Sequence, residues 1–277
     1  MALRRLVLVL GLLAGSSRVG DAQGVVVAPH AVYLDHRTRS GSITLYNPGS
    51  EPTEVTISSI YGYPVTDSVG HFMLYLPDSV QAGMPSATAW IDAFPRKMTL
   101  APLQRQTVRL LARPPQDLAD GEYWSRVVVS AKGGALPVAG ADTAGIQVGL
   151  NLEVRTIIPL IYRKGVLNTG LAASGLRTSV AGDTLKVRPH LERKGTAAFV
   201  GTAKGSLLSA SGATVATFQQ PIAVYYDADP VFTMPLSGQP AGHYRLRVEY
   251  TTERTDIQPE LLLRAPPALD SIEVTLP

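Results

Sequence analysis

The side chains that could perform acid–base, metal or nucleophilic chemistry are few in this sequence and poorly placed for it. Five histidines, His30, His36, His71, His190 and His243, lie far apart. None has a second ligand at the short spacings that metal sites use, so each reads as a surface or turn residue. The chain has no cysteine. That removes thiolate clusters, thiol nucleophiles and disulfide scaffolds together. No HExxH, GxSxG, strand-borne GxGxxG or phosphate loop occurs. Close carboxylates such as Glu249 and Glu253 read as the solvent face of a strand. Nothing supports an enzyme, and no cofactor or metal is called for.

The chemistry that remains is that of the backbone. From Ala144 to Gly165 the chain reads AGIQVGLNLEVRTIIPLIYRKG. Ile146, Val148, Leu150, Leu152 and Val154 are apolar, with polar residues or glycine between them. Ile158, Leu160 and Tyr162 continue on the same parity. Strict alternation marks a strand with one apolar face, here roughly three times the ordinary 5–6 residues. A sandwich strand facing its own core would explain part of it. An edge strand that pairs with a partner's strand would explain the length. Ordinary edges are kept short or charged to prevent such pairing, so a long apolar one requires a purpose.

The rest of the chain alternates with the same period of two. GVVVAPHAVYL, GSITLYN, TEVTISSIYGY, QTVRLLA and YWSRVVVSA read as strands, with turn signals at Asn47-Pro48-Gly49, Pro77-Asp78-Ser79 and Gly133-Gly134. Asp67 to Trp90 is less regular and includes a long surface loop. After Gly165 a polar, glycine-containing run extends to Asp183. A second set then follows: TLKVRPHLER, AFVGTAKGSLL, ATVATFQ, IAVYY, HYRLRVEYT, ELLLR and IEVTL. Each half holds about seven strands, as an immunoglobulin-like sandwich does. Tyr123 and Tyr244 follow Asp-Gly-Glu and Ala-Gly-His and stand where a phenol can tie down a sandwich corner. The fold class is all-β, with two immunoglobulin-like β-sandwich domains in tandem.

The first residues, MALRRLVLVLGLLAG and then SSRVGDA, have the three parts of a secretory signal peptide, cut near Ala22. Their apolar run is about half the ~20 residues that span a bilayer. The division expected is 1–22 signal, 23–164 first domain and 165–277 second domain, with no membrane insertion. The whole chain has 25 basic and 22 acidic residues. Removing Arg4, Arg5, Arg18 and Asp21 leaves 22 against 21, or +1. Such a balance offers no electrostatic case for nucleic acid.

The order of these segments resembles the PapD-like periplasmic chaperones of chaperone/usher pilus assembly. VVVAPHAVYLDHRTRSGSITLYNPGSEPTEVTIS is similar to the family's opening strands, FPRKMTLAPLQRQTVRLL to its P–x–L–x–P–G segment, LADGEYWSRVVV to the next strand, and TIIPLIYRKG to the strand end before the hinge. The resemblance implies a periplasmic chaperone that caps pilus or fimbrial subunits by donor-strand complementation, lending them the long strand. It assigns subunit contacts to Leu150, Leu152 and Val154, extended by Val148 and Ile146. It implies a pilus-like subunit as partner, and it admits an outer-membrane usher and a self-capping dimer. The family's carboxylate clamp, an Arg and a Lys, falls here on Ala31 and Pro159, neither of which carries a charge. His30, Arg155 or Arg163 would have to replace it, or the client binds differently. Pro159 cannot donate to a ladder, so the pairing edge should end or bulge there. Arg163 matches the family's hinge arginine and Glu122 its acidic partner across the domain junction; each could equally be an exposed turn charge. The alternative is a secreted structural or adhesive sandwich module without chaperone activity.

Overall fold

The computed structural model describes residues 24–133, 136–137, 149–150 and 152–277. The signal segment, Ile146 and Val148 lie outside the described residues. The first half contains β1 (Val26–Ala28), β2 (Val32–Asp35), β3 (Ser40–Tyr46), β4 (Thr53–Ile60), β5 (Tyr63–Thr66), β6 (Phe72–Tyr75), β7 (Ile91–Phe94), β8 (Lys97–Leu100), β9 (Arg105–Ala112), β10 (Gly121–Lys132), β11 (Leu136–Pro137), β12 (Gly149–Leu150) and β13 (Glu153–Lys164). They form one sheet in the order β1-β3-β9-β7 and another in the order β2-β13-β10-β4-β8.

Two strands change sheets part-way. β1 pairs with β3 and β2 with β13, the break falling at Pro29. β7 pairs with β9 and β8 with β4, the break falling at Pro95. Proline has no N–H to give, so a ladder stops there and the chain is free to cross to the other layer. With each split strand counted once, the first half has the seven strands of an immunoglobulin-like sandwich. The alternating residues Ile43, Leu45, Val108, Leu110, Val129 and Leu160 are fully buried between its layers.

The second half contains β14 (Thr169–Ala181), β15 (Thr184–Gly195), β16 (Phe199–Leu208), β17 (Thr214–Val224), β18 (Asp227–Ala228), β19 (Phe232–Pro235), β20 (Gly242–Thr251) and β21 (Ala268–Leu276). One sheet runs β14-β15-β18, with β19 also on β15; the other runs β17-β16-β20-β21. Its core is built on Leu185, Val187, Phe199, Phe232, Leu246 and Val248, all fully buried. Each such side chain contributes roughly 1.5–3 kcal/mol of burial. This core must hold a chain that has no cysteine and so no disulfide. Both corner tyrosines tie down the turn before their strand: Tyr123 donates to the Ala119 carbonyl and Tyr244 to the Pro240 carbonyl, each at 2.9 Å.

Three expectations from sequence are corrected. The polar run from Gly165 to Asp183 contains β14, a strand of 13 residues. Its register against β15 shifts between Ser174 and Arg177, around Gly175 at φ 59°, so its period breaks midway and escapes pattern reading. Within Asp67 to Trp90, Phe72–Tyr75 form β6, which pairs with β5 just before that stretch, and the loop follows it. ELLLR is not a strand; Pro259–Leu261 make a single 3-10 turn. ATVATFQ and IAVYY, read as two strands, belong to the continuous β17. Among the described residues no helix is long and apolar enough to cross a membrane.

Candidate functional site

The long alternating stretch becomes two pieces among the described residues. β12 pairs with β11, and β13 pairs along its whole length with β10, from Gly121↔Lys164 to Lys132↔Glu153. Leu152 between them is outside any strand. The single unbroken strand expected from sequence is therefore interrupted at that point. No bulge occurs on the β10 side at Pro159, which sits in register with Arg126.

The other side of β13 is where the site lies. β2 covers it only from Leu160 to Arg163. Among the described residues, Glu153 to Pro159 has no strand on that side. The cover begins one residue after the proline, where an N–H donor is absent anyway. The inner half of β13 belongs to its own core, with Ile158 and Leu160 buried and Tyr162 fully enclosed. Toward the other end burial fades. Val154 is half-buried, with Gly24 packed against it. Leu152 is 41% exposed. Leu150 lies opposite Leu136 in the extended hairpin. An edge of unpaired N–H and C=O groups next to apolar side chains is what strand addition requires.

The charges expected to anchor a carboxylate are placed apart. Arg155 is mostly exposed and pairs with Glu153 at 2.8 Å; that hydrogen bond holds the Glu153 carboxyl below its ordinary range. Arg155 lines a different depression, with Glu54, Lys97 and Lys132. His30 instead lines a cleft of about 400 Å3 between the two sandwiches, where Ala31 and Pro159 also lie. The same cleft holds two cations not singled out from sequence, Arg126 and Arg254. Arg254 is tied to Asp256 through Nε at 2.7 Å and Nη2 at 2.5 Å. Arg126 is 6% exposed and gives its Nε to the Gly62 carbonyl at 2.9 Å. The signal for it was present in the sequence: an arginine directly before Val127-Val128-Val129, in a strand apolar enough to be covered on both faces.

Glu122 and Arg163 lie beside the cleft. Glu122 is 3% exposed and accepts from Arg163 Nε at 2.9 Å, Trp124 Nε1 at 2.9 Å and the Ala198 amide at 3.0 Å. Arg163 also donates to the Leu261 carbonyl at 2.6 Å and lies 4.7 Å over the Tyr33 ring. Ala198 and Leu261 follow β13 in the chain, so this network joins the two halves. An apolar cluster completes the junction: Tyr61, Trp124 and Ile161 pack with Ala198 and Tyr225. Burial pushes the Tyr33 phenol up to about 12.

The hairpin β5–β6 is the element that pattern reading missed altogether. Phe72 packs against the core of the second sandwich. The Val231 amide donates to the Gly70 carbonyl, and the Asp229 amide donates to Thr66 Oγ1, both at 2.9 Å. The hairpin thus forms a third wall of the cleft through Pro64, Phe72, Met73 and Leu74.

No family model matches the sequence, and no curated protein matches it. Solved structures of pilus chaperones do match over most of the chain. The YadV chaperone aligns with a TM-score of 0.45 and 17% identity, covering 91% of this chain and 99% of that one. A chain of the Salmonella enterica SafA pilin–SafB chaperone complex gives 0.42 and 15%, covering 91% and 98%. The Pseudomonas aeruginosa CupB2 chaperone gives 0.38 and 11%, covering 91% and 100%.

Proposed function

We propose that the chain is an exported, periplasmic assembly chaperone that lends the segment 146–154, and the open edge of β13 beyond it, to a pilus-like subunit whose own sandwich lacks a strand. The observation that carries this reading is the edge from Glu153 to Pro159, without a partner strand among the described residues and closed by β2 from Leu160 onward. A guest strand added there gains ladder hydrogen bonds until the proline. The side chains of 146–154 would then fill the guest's open core, and several large ones at ~1.5–3 kcal/mol each can hold it folded without nucleotide hydrolysis. The division 23–164 and 165–277 assigns the lending edge to the first domain and one wall of the cleft to the second. An outer-membrane usher would receive the loaded complex, and a self-capped dimer would shield the edge when no client is present.

The test is capture. Tagged mature protein is recovered from the envelope of its native host and its partners are identified by mass spectrometry. The expected partner is stoichiometric, has a sandwich lacking one strand, and is lost in the Leu150→Lys/Leu152→Lys double variant. The same variant should melt within about 2 °C of the parent, as surface substitutions do. A large loss of stability would place those leucines in the chain's own core and leave the secreted structural module as the better reading.

A further inference from the structure

The cleft between the sandwiches contains a charge that has no counter-ion among the described residues. Arg126 enters it from β10, which is buried on both faces. One carbonyl, Gly62, accepts from its Nε, and the guanidinium carbon lies 5.5 Å from the centre of the Tyr225 ring. Among the described residues no carboxylate stands within ion-pair distance of it. The acid facing the cleft, Asp256, is engaged by Arg254. Burial raises the Tyr225 phenol, so that group stays neutral and offers no negative charge. Removing an ion from water without a counter-ion costs several kcal/mol. A ring face and one carbonyl offset only part of that. The missing complement is an anion.

The walls decide its character. At about 400 Å3 the cleft falls inside the span of small-molecule sites, roughly 300–1,000 Å3. Phe72 and Leu74 of the hairpin, Ile161 of β13, and Val200 and Ala223 of the second sandwich line the cleft together with the guanidinium, and more of its lining surface is apolar than polar. A strongly hydrated anion such as phosphate would lose its water against these side chains without replacement. A carboxylate on a hydrocarbon body would keep two hydrogen bonds from the planar fork and bury its tail. We infer that this cleft binds a small free monocarboxylate with an apolar body, such as a medium-chain fatty acid, with Arg126 as its counter-ion. The inference rests on the cleft alone, so its outcome is separate from that of the chaperone reading.

The experiment is calorimetric titration of the purified mature protein with octanoate, octanol and octylamine. Octanoate should bind at least about tenfold tighter than octanol, reflecting the charge-assisted hydrogen bonds, and octylamine should not bind. Arg126→Gln should weaken octanoate by about tenfold or more and leave octanol unchanged. Because Arg126 also holds Gly62, a second variant decides the matter if the first fails to fold. Ala223→Leu fills the cleft, leaves the arginine in place and should abolish octanoate binding. Equal affinity for octanoate and octanol overturns the inference, as does octanoate binding that survives either variant. A peptide that binds through its free C-terminal carboxylate where octanoate does not also overturns it, by making the site a chain-end receptor.

Discussion

Single residues help hold the two halves of this molecule together: Glu122 accepts from three donors at once, and one of them, the Ala198 amide, belongs to the second half. Removing Glu122 leaves the Arg163 guanidinium, the Trp124 indole N–H and the Ala198 amide without their acceptor. Breaking a buried pair of this kind costs about 3–5 kcal/mol, so Glu122→Ala should lower the urea-unfolding free energy by that order. Glu122→Ala combined with Arg163→Met should lose less than the sum of the single changes, because the second removes the stranded charge. The corner tyrosines act independently of each other. Tyr123→Phe and Tyr244→Phe each forfeit one phenol–carbonyl bond, about 1 kcal/mol apiece, and the two losses should add. Asp35 carries a pH effect. The Thr38 amide, foremost, and the Arg37 amide donate to its carboxylate and hold it below the ordinary range. A depressed folded value means that its contribution is present above the unfolded value and is lost as pH falls through the folded one. An NMR titration should find Asp35 titrating below the ordinary aspartate range, and Asp35→Asn should flatten the acid limb of the melting curve.

At the scale of elements, β13 is divided by what lies on its far side. Its inner half is paired on both edges and fills the first core, while among the described residues its outer half is paired only with β10. Alternation revealed the apolar face of this stretch but not where the cover stops, because β2 is brought beside it from more than a hundred residues away. β14 shows the reverse failure: its local pattern was broken by a bulge although its pairing is extensive. The hairpin β5–β6 was illegible because each strand has only four residues and its reason for existing, the second core, lies in the other half of the chain. Phe72→Ala withdraws the side chain that docks it. The expected loss is about 2 kcal/mol, below the ~3–5 kcal/mol of truncating a fully buried aromatic because Phe72 is only half-buried. Hydrogen exchange should then speed up at the amides of Gly70-facing Val231 and of Asp229, which the hairpin engages.

Taken whole, the molecule is two sandwiches joined by a packed junction rather than by a bare linker. Trp124, Tyr61 and Ile161 from one half meet Tyr225 and Ala198 from the other, and Trp124 lies 4.5 Å from the Tyr225 ring centre. A junction this well buried couples the two halves, so the parent should show one calorimetric transition. Trp124→Ala should cost about 3–5 kcal/mol and separate that transition into two. A single unaltered transition would mean that the halves are coupled by the hairpin instead. The junction also sets the shape of the cleft, since its walls come from both sandwiches and the hairpin.

The sequence by itself determined the strand period, the tandem all-β plan, the corner tyrosines and the apolar face of β13. All of these depend on side-chain alternation and turn residues, which act over a few positions and are written locally. Tertiary structure alone decided that Leu160 is covered by β2 while Pro159 has no such cover among the described residues, that Arg155 and His30 lie in different depressions, and that no acid among the described residues pairs with Arg126. Those facts depend on which distant strands become neighbours and on what charge arrives with them. A residue's burial and its counter-ion are properties of its neighbours in space, and no local period records them.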